Sequence, residues 1–151
     1  MAGQKQASVA VIYNFLGKDQ YEILRRQVRD GEVVSPTGDP KDLEKIATLR
    51  EEIDAIVRAL REKGFAVRAV NIKDDFERLH AALTSPRPDV VFNLVEFFND
   101  DPMQEDRVPA LYDLLRIPYT GSPPLTLALC QRKGLAKRIL KAFHIPIPRY
   151  F

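Results

Sequence analysis

The chain has 151 residues, 45% hydrophobic and 29% charged, and its 23 basic and 21 acidic side chains leave a net charge of +2. That balance belongs to a soluble globular protein with one sizeable core. It excludes a bilayer-spanning helix, because no apolar run is long enough, and the small polar start Met1–Ser8 lacks a signal-peptide core, so a cytoplasmic location is the default expectation.

Val9–Tyr13 is short, apolar and β-branched and predicts a first strand. Phe15–Arg29 predicts a helix with Ile23, Leu24 and Val28 inward, and Asp30–Gly38 predicts a loop or small hairpin. Asp39 and Pro40 then form a strong helix start, a cap followed by proline at the first helical position. Leu43, Ile46, Leu49, Ile53, Ile56, Val57 and Leu60 lie on one face of that helix, and Lys63-Gly64 stops it. Phe65–Ile72 predicts a second strand. Asp74–Leu83 predicts a helix with Phe76, Leu79, Ala82 and Leu83 inward, broken by Ser85-Pro86-Arg87-Pro88. Asp89–Val95 is a third strand, nearly all apolar, as in a sheet covered on both faces. Glu105–Leu115 reads as a helix through Val108, Leu111, Tyr112 and Leu115, with Pro109 near its first turn. Ile117–Tyr119 predicts a short fourth strand, and Ser122-Pro123 a cap and a first helical position. The only cysteine, Cys130, excludes an intrachain disulfide, and its place in the apolar run Leu125–Cys130 predicts a small buried hydrophobe. Lys133–Phe143 is the last helix.

Strands alternating with helices predict an α/β fold, a three-layer Rossmann-like sandwich with a mainly parallel sheet of about four strands. Ligands in such sheets sit beyond the carboxyl ends of the strands. The loops to watch are therefore Asn14–Gln20, Asn71–Asp75, Glu96–Asp106 and Thr120–Ser122.

Several nucleotide signatures are absent. The loop after the first strand carries one glycine, Gly17, so a GxGxxG dinucleotide site is not expected there, and no P-loop pattern occurs anywhere. His80 and His144 are isolated, with no metal-ligand spacing, so neither is named as a metal ligand, and nothing suggests a catalytic base. Five carboxylates, Glu96, Asp100, Asp101, Glu105 and Asp106, fall within eleven residues. They can hold an amine or a metal, or form a hydrated loop. Glu105 at a helix start is also stabilised by the helix N-terminus itself. Residues 131–151 carry Arg132, Lys133, Lys137, Arg138, Lys141 and Arg149 and no acid, which is +6, leaving 2 − 6 = −4 for the rest. Such an end attracts phosphate or is a solvated helix face. Stacking support for nucleic acid is thin, with only Phe143, Tyr150 and Phe151 in the region.

Three strings in order carry a family resemblance: Phe92-Asn93-Leu94, then Ile117-Pro118-Tyr119-Thr120-Gly121-Ser122, then Lys133. In this the chain resembles the N-terminal domain of D-alanine–D-alanine ligases and their ATP-grasp relatives. The resemblance implies a pre-ATP-grasp domain over residues 1–144, with residues 145–151 opening a linker to an ATP-grasp domain that this sequence lacks. It further implies ATP- and Mg²⁺-dependent joining of a carboxylate to an amine, with most of the nucleotide cage and the metal carboxylates on domains absent here. Lys133 would then reach ATP phosphate and Glu96 and Glu105 the substrate, and the chain alone would be inactive. The partners implied are a small amino-acid-like substrate, the rest of the ligase chain, and a second copy in a homodimer. Three departures mark this chain: no glycine-rich acidic loop follows the first strand, Arg132 replaces an aspartate before the lysine, and Glu96 stands where the ligases typically have histidine. The alternative is a stand-alone α/β module that binds a ligand or partner without catalysis.

Overall fold

A computed structural model describes residues 6–15 and 41–148, with residues 41–50 described by backbone alone. The helix expected over 16–29, the loop over 30–38, the Asp39-Pro40 start and the inward side chains of Leu43, Ile46 and Leu49 lie outside the described residues.

Three short apolar runs pair as a parallel sheet: β1 (Ser8–Tyr13), β2 (Ala66–Asn71) and β3 (Val90–Leu94), in the order β2-β1-β3. The register sets Val11 beside Ala69 on one side and Phe92 on the other. The central strand β1 is therefore buried from Val9 to Ile12. Five helices follow the strands among the described residues: α1 (Lys41–Glu62), α2 (Phe76–Thr84), α3 (Arg107–Leu114), α4 (Pro124–Gln131) and α5 (Lys133–Ala142).

Alternation along β1 divides the core into two layers. Val11 packs with Ile53 and Val57 of α1, joined by Tyr13, Phe92 and Leu94. Ala10 and Ile12 face the other way, onto Leu79, Ala82 and Leu83 of α2 and Val108 and Tyr112 of α3. The result is the expected helix–sheet–helix sandwich. Its elements end on recognisable devices. Gly64 takes a φ of 87° after α1 and donates to the Arg61 carbonyl at 2.9 Å. Asp75 caps α2 by accepting from the Arg78 N–H at 2.9 Å. Arg68, on β2, donates to the carbonyls of Ala82, Ser85 and Pro86. Arg87 donates to those of Leu115 and Arg116 at 2.8 and 2.9 Å. Each arginine thus satisfies carbonyls left over at a helix C-terminus.

Four expectations need correction. The fourth strand shrinks to one parallel bridge, Val91 to Tyr119, held by Val91 N–H to Pro118 O at 2.8 Å and Thr120 N–H to Val91 O at 3.0 Å. The next donor, the Asn93 N–H, goes to the Thr120 hydroxyl at 3.1 Å instead of a backbone carbonyl, which ends the ladder. Phe76, expected inward, is 52% exposed and stacks on His80 one turn along α2. It stands in the first helical position, and the buried side of the helix starts one turn later, at Leu79. Cys130 is exposed, because α4 contributes no fully buried residue. The cap and first helical position shift by one: Pro123 is the N-cap, extended at ψ 159°, and Pro124 opens α4. The second proline keeps its predecessor out of the helical region, so Pro123 cannot be the first helical residue and Ser122 cannot cap.

Candidate functional site at the strand ends

In a parallel sheet all carboxyl ends lie on one edge, and here an asparagine stands at each of them. Asn14 follows β1, Asn71 closes β2, and Asn93 is the penultimate residue of β3. The Asn71 amide pairs with the backbone of Phe15, accepting from its N–H at 2.9 Å and donating to its carbonyl at 2.8 Å. It thereby extends the β1–β2 ladder with a side chain. The Asn93 carbonyl oxygen accepts from the Tyr112 hydroxyl at 3.0 Å. Burial pushes that phenol well above its ordinary value.

Asn14 is the most connected of the three. It is buried, and its Nδ2 donates to Asp74 Oδ1 at 3.0 Å and to the Phe97 carbonyl at 3.2 Å, while its Oδ1 accepts from the Asp74 N–H at 2.7 Å. Two tight turns meet at this point. In the first, Lys73 and Asp74 both have positive φ, 51° and 59°, and Asp75 N–H returns to Ile72 O at 3.0 Å. In the second, Asn99 and Asp100 both have a φ of 53°, and Phe98 and Asp101 exchange N–H···O bonds at 3.3 and 3.1 Å. This is a two-residue reversal with both central residues left-handed, a geometry that asparagine and aspartate tolerate. The Asp74 carboxylate joins the turns. Its Oδ1 accepts from Asn99 N–H at 2.8 Å and its Oδ2 from Asp100 N–H at 2.7 Å.

The five carboxylates of the acidic loop have different surroundings. Asp101 caps a 3₁₀ turn (Pro102–Gln104), accepting from Met103 N–H at 2.8 Å. Glu105, expected to open the helix, ends that 3₁₀ turn two residues before α3 and accepts from Gln131 Nε2 at 2.7 Å. Gln131 also donates to the Pro102 carbonyl, so the loop is tied to the end of α4. Asp106 Oδ1 and Gln131 Oε1 are buried without a hydrogen-bond partner among the described residues. Glu96 is exposed, two residues past β3, and its carboxylate has no partner among the described residues.

The IPYTGS segment crosses beside β3. Tyr119 tilts against Tyr112 with ring centroids 5.3 Å apart, and Gly121 takes a φ of 107°, a conformation costly for any other residue. The chain then enters α4 and α5. Lys133 is the exposed first residue of α5, two positions beyond the Gln131 that holds Glu105. The structure therefore links Glu105 to the neighbourhood of Lys133, while Glu96 stands apart on the strand-end side. Arg132, in place of the aspartate of the resemblance, turns back to donate to the Ala128 carbonyl at 3.1 Å. Among the described residues, no three His, Cys, Asp or Glu side chains come together to hold a metal ion.

Curated proteins share sequence with part of this chain. The chain is 37% identical over 90 residues to a D-alanine–D-alanine ligase of Rhodospirillum rubrum, an alignment that covers 59% of this chain and 28% of the ligase. The chain is related to D-alanine–D-alanine ligases. The corresponding enzyme of Azorhizobium caulinodans is 34% identical over 91 residues, covering 60% of this chain and 28% of the relative, and that of Gluconobacter oxydans 33% over 95 residues, covering 62% and 30%. The chain thus matches under a third of the length of these relatives. No family model matches it, and no solved structure does. No described helix of this ligase relative is long and apolar enough to cross a membrane.

Sequence reasoning singled out Glu96, Glu105 and Lys133, placed Asn14, Asn71 and Asp74 only within loops to watch, and did not name Gln131. A signal was available for Asn14 and Asn71: each apolar strand run in FNL-like style carries an asparagine at its carboxyl end. Their long-range partners lie 56 to 83 residues away in sequence, which no local pattern reveals.

Proposed function

We propose that this chain is the N-terminal, substrate-side domain of an ATP-dependent carboxylate–amine ligase resembling the D-alanine–D-alanine ligases. The observation that carries this reading is the identity of 33–37% to those enzymes, shared by several relatives. The geometry adds support, since the loop bearing Glu96 and Glu105 lies at the carboxyl ends of the strands and is tied through Gln131 to the start of α5. The domain would span residues 1–144, with residues 145–151 leading to the rest of the ligase.

In this reading Lys133 sets a mobile point charge against the ATP phosphates, where negative charge accumulates during phosphoryl transfer. Glu96 offers a carboxylate to the ammonium group of an amino-acid substrate. Glu105 orients the loop on α4 and faces the substrate from the other side. The metal that ATP needs would be held by carboxylates on other parts of the ligase, as the resemblance implies. ATP then binds mainly outside this domain, and residues 1–151 alone do not turn it over. Phosphate release from ATP by purified chain, with and without D-alanine, checks this: background rates are expected, and a clear amino-acid-dependent rate would overturn the division of labour.

One observation also suits a non-catalytic module that docks on another protein. Leu125, Leu135, Leu140, Phe143 and Ile145 are exposed along α4, α5 and the segment after them. A ligase-type domain covered by its own neighbouring domains explains the same exposure. Both readings, and any pairing of two copies through this domain, separate when the chain is compared with the full gene product for ATP-dependent amide formation.

A further inference from the structure

Glu96 is exposed and has no partner among the described residues, yet the backbone around it is held on both sides. Val95 N–H donates to Asn93 Oδ1 at 3.4 Å on one side, and the Phe97 carbonyl accepts from Asn14 at 3.2 Å on the other. Beyond Phe97, the turn at Asn99-Asp100 is gripped by the two oxygens of Asp74 at 2.8 and 2.7 Å. Four consecutive-pair residues in left-handed backbone, Lys73, Asp74, Asn99 and Asp100, converge at this one carboxylate. Left-handed backbone is uncommon away from glycine even though asparagine and aspartate tolerate it, and two such pairs side by side persist where the surroundings hold them. Here the surroundings are the Asp74 carboxylate and the buried Asn14 amide.

From this we infer that Asn14 and Asp74 are positioning residues: together they clamp the loop after β3 so that the Glu96 carboxylate is held out, preorganised, for a cationic substrate group. The inference rests on the reading of Glu96 given above. It also gives the loop after β1 a role that needs no glycine-rich motif. Where a phosphate-binding loop would present backbone N–H groups to a ligand, this chain spends the position on a buried side-chain amide that fastens its neighbours. Charge-assisted bonds from two adjacent N–H groups to one carboxylate are strong and directional, and a ligand that meets a fixed carboxylate loses less freedom on binding. Glu96 itself is spared from the clamp, which is what a group reserved for a ligand requires.

Asp74→Asn is the informative change, because it keeps shape and one acceptor but puts an NH₂ or a neutral oxygen opposite the N–H groups of Asn99 and Asp100. Amide hydrogen exchange of the chain reads the clamp, and ¹⁵N-resolved titration with D-alanine, against D-lactate as the probe lacking the ammonium, reads the site. Slow exchange at Asn99 and Asp100 is expected in the native protein, rising about tenfold or more in Asp74→Asn with β1 unchanged. D-alanine, and not D-lactate, is expected to shift residues 95–98, with an affinity several-fold weaker in Asp74→Asn and lost in Glu96→Gln. Unchanged exchange at Asn99 and Asp100 in Asp74→Asn overturns the clamp whatever the ligand does. Faster exchange with an unaltered D-alanine response overturns the positioning role and leaves the reading of Glu96 standing. No D-alanine response in the native protein overturns that reading and the positioning role with it.

Discussion

The two ends of the described chain are built in opposite ways. From β1 to α3, strand runs and helix faces meet on both sides of one sheet, and Ile12, Ile72, Leu83, Val91 and Tyr112 are fully shielded from water. In α4 and α5 no residue is buried, α5 mixes lysine and arginine with leucine and isoleucine, and Phe143 just after it is 75% exposed. The first region stabilises itself. The second leaves Leu125, Leu135, Leu140 and Phe143 exposed, and such an apolar side gains full value only against further protein. The candidate site lies at the join, where Gln131 of α4 reaches back to Glu105.

The largest effect that sharpens this contrast is a cavity in the first region. Leu83→Ala removes a fully buried side chain between α2 and β1 and should cost about 2–5 kcal/mol in urea unfolding. Leu135→Ala, on exposed α5, should change stability by no more than about 0.5 kcal/mol. Equal losses at the two positions would break the comparison.

Tyr112 gives an effect of middle size. Replacing it by phenylalanine removes the bond to Asn93 and should cost about 1 kcal/mol at neutral pH. Because burial raises its folded-state value, the stability it carries is complete below the ordinary tyrosine value. It is lost above about pH 10, at up to about 1.4 kcal/mol per pH unit, since the unfolded chain gives up the proton first. Urea unfolding between neutral pH and pH 11 should show part of that slope disappear in Tyr112→Phe. An identical slope in both proteins would place the titration elsewhere.

Much of the first region could be read in advance because its signals are local. The apolar run of β1, the one-sided spacing of Ile53, Val57 and Leu60, and the glycine stop at Gly64 each act within a few residues. The errors fall where a neighbour decides. Phe76 has a helical-face spacing but stays exposed in the first helical position, Cys130 sits in an apolar run yet is exposed, and Tyr119 loses its ladder to the Thr120 hydroxyl. The strand-end network escaped for the same reason: Asp74 and Asn14 are ordinary polar residues until the fold sets them 3.0 Å apart. Glu96, Glu105 and Lys133 were reached through family resemblance, and residue chemistry by itself would have left all three as solvated charges.

The smallest expected effect on stability belongs to Lys133, exposed and at a helix start. Lys133→Glu should leave unfolding within about 0.5 kcal/mol of the native chain. Its expected effect on function is large, and this makes it the most direct test of the account. In a ligase polypeptide containing this segment, the steady-state dependence on ATP should be measured for the native enzyme and for Lys133→Glu. A rise of about tenfold or more in the apparent KM for ATP, or a comparable fall in kcat, is the expected result if the lysine faces phosphate. Kinetics indistinguishable from the native enzyme, with the fold intact, would contradict the assignment of α5 to the nucleotide side of the site.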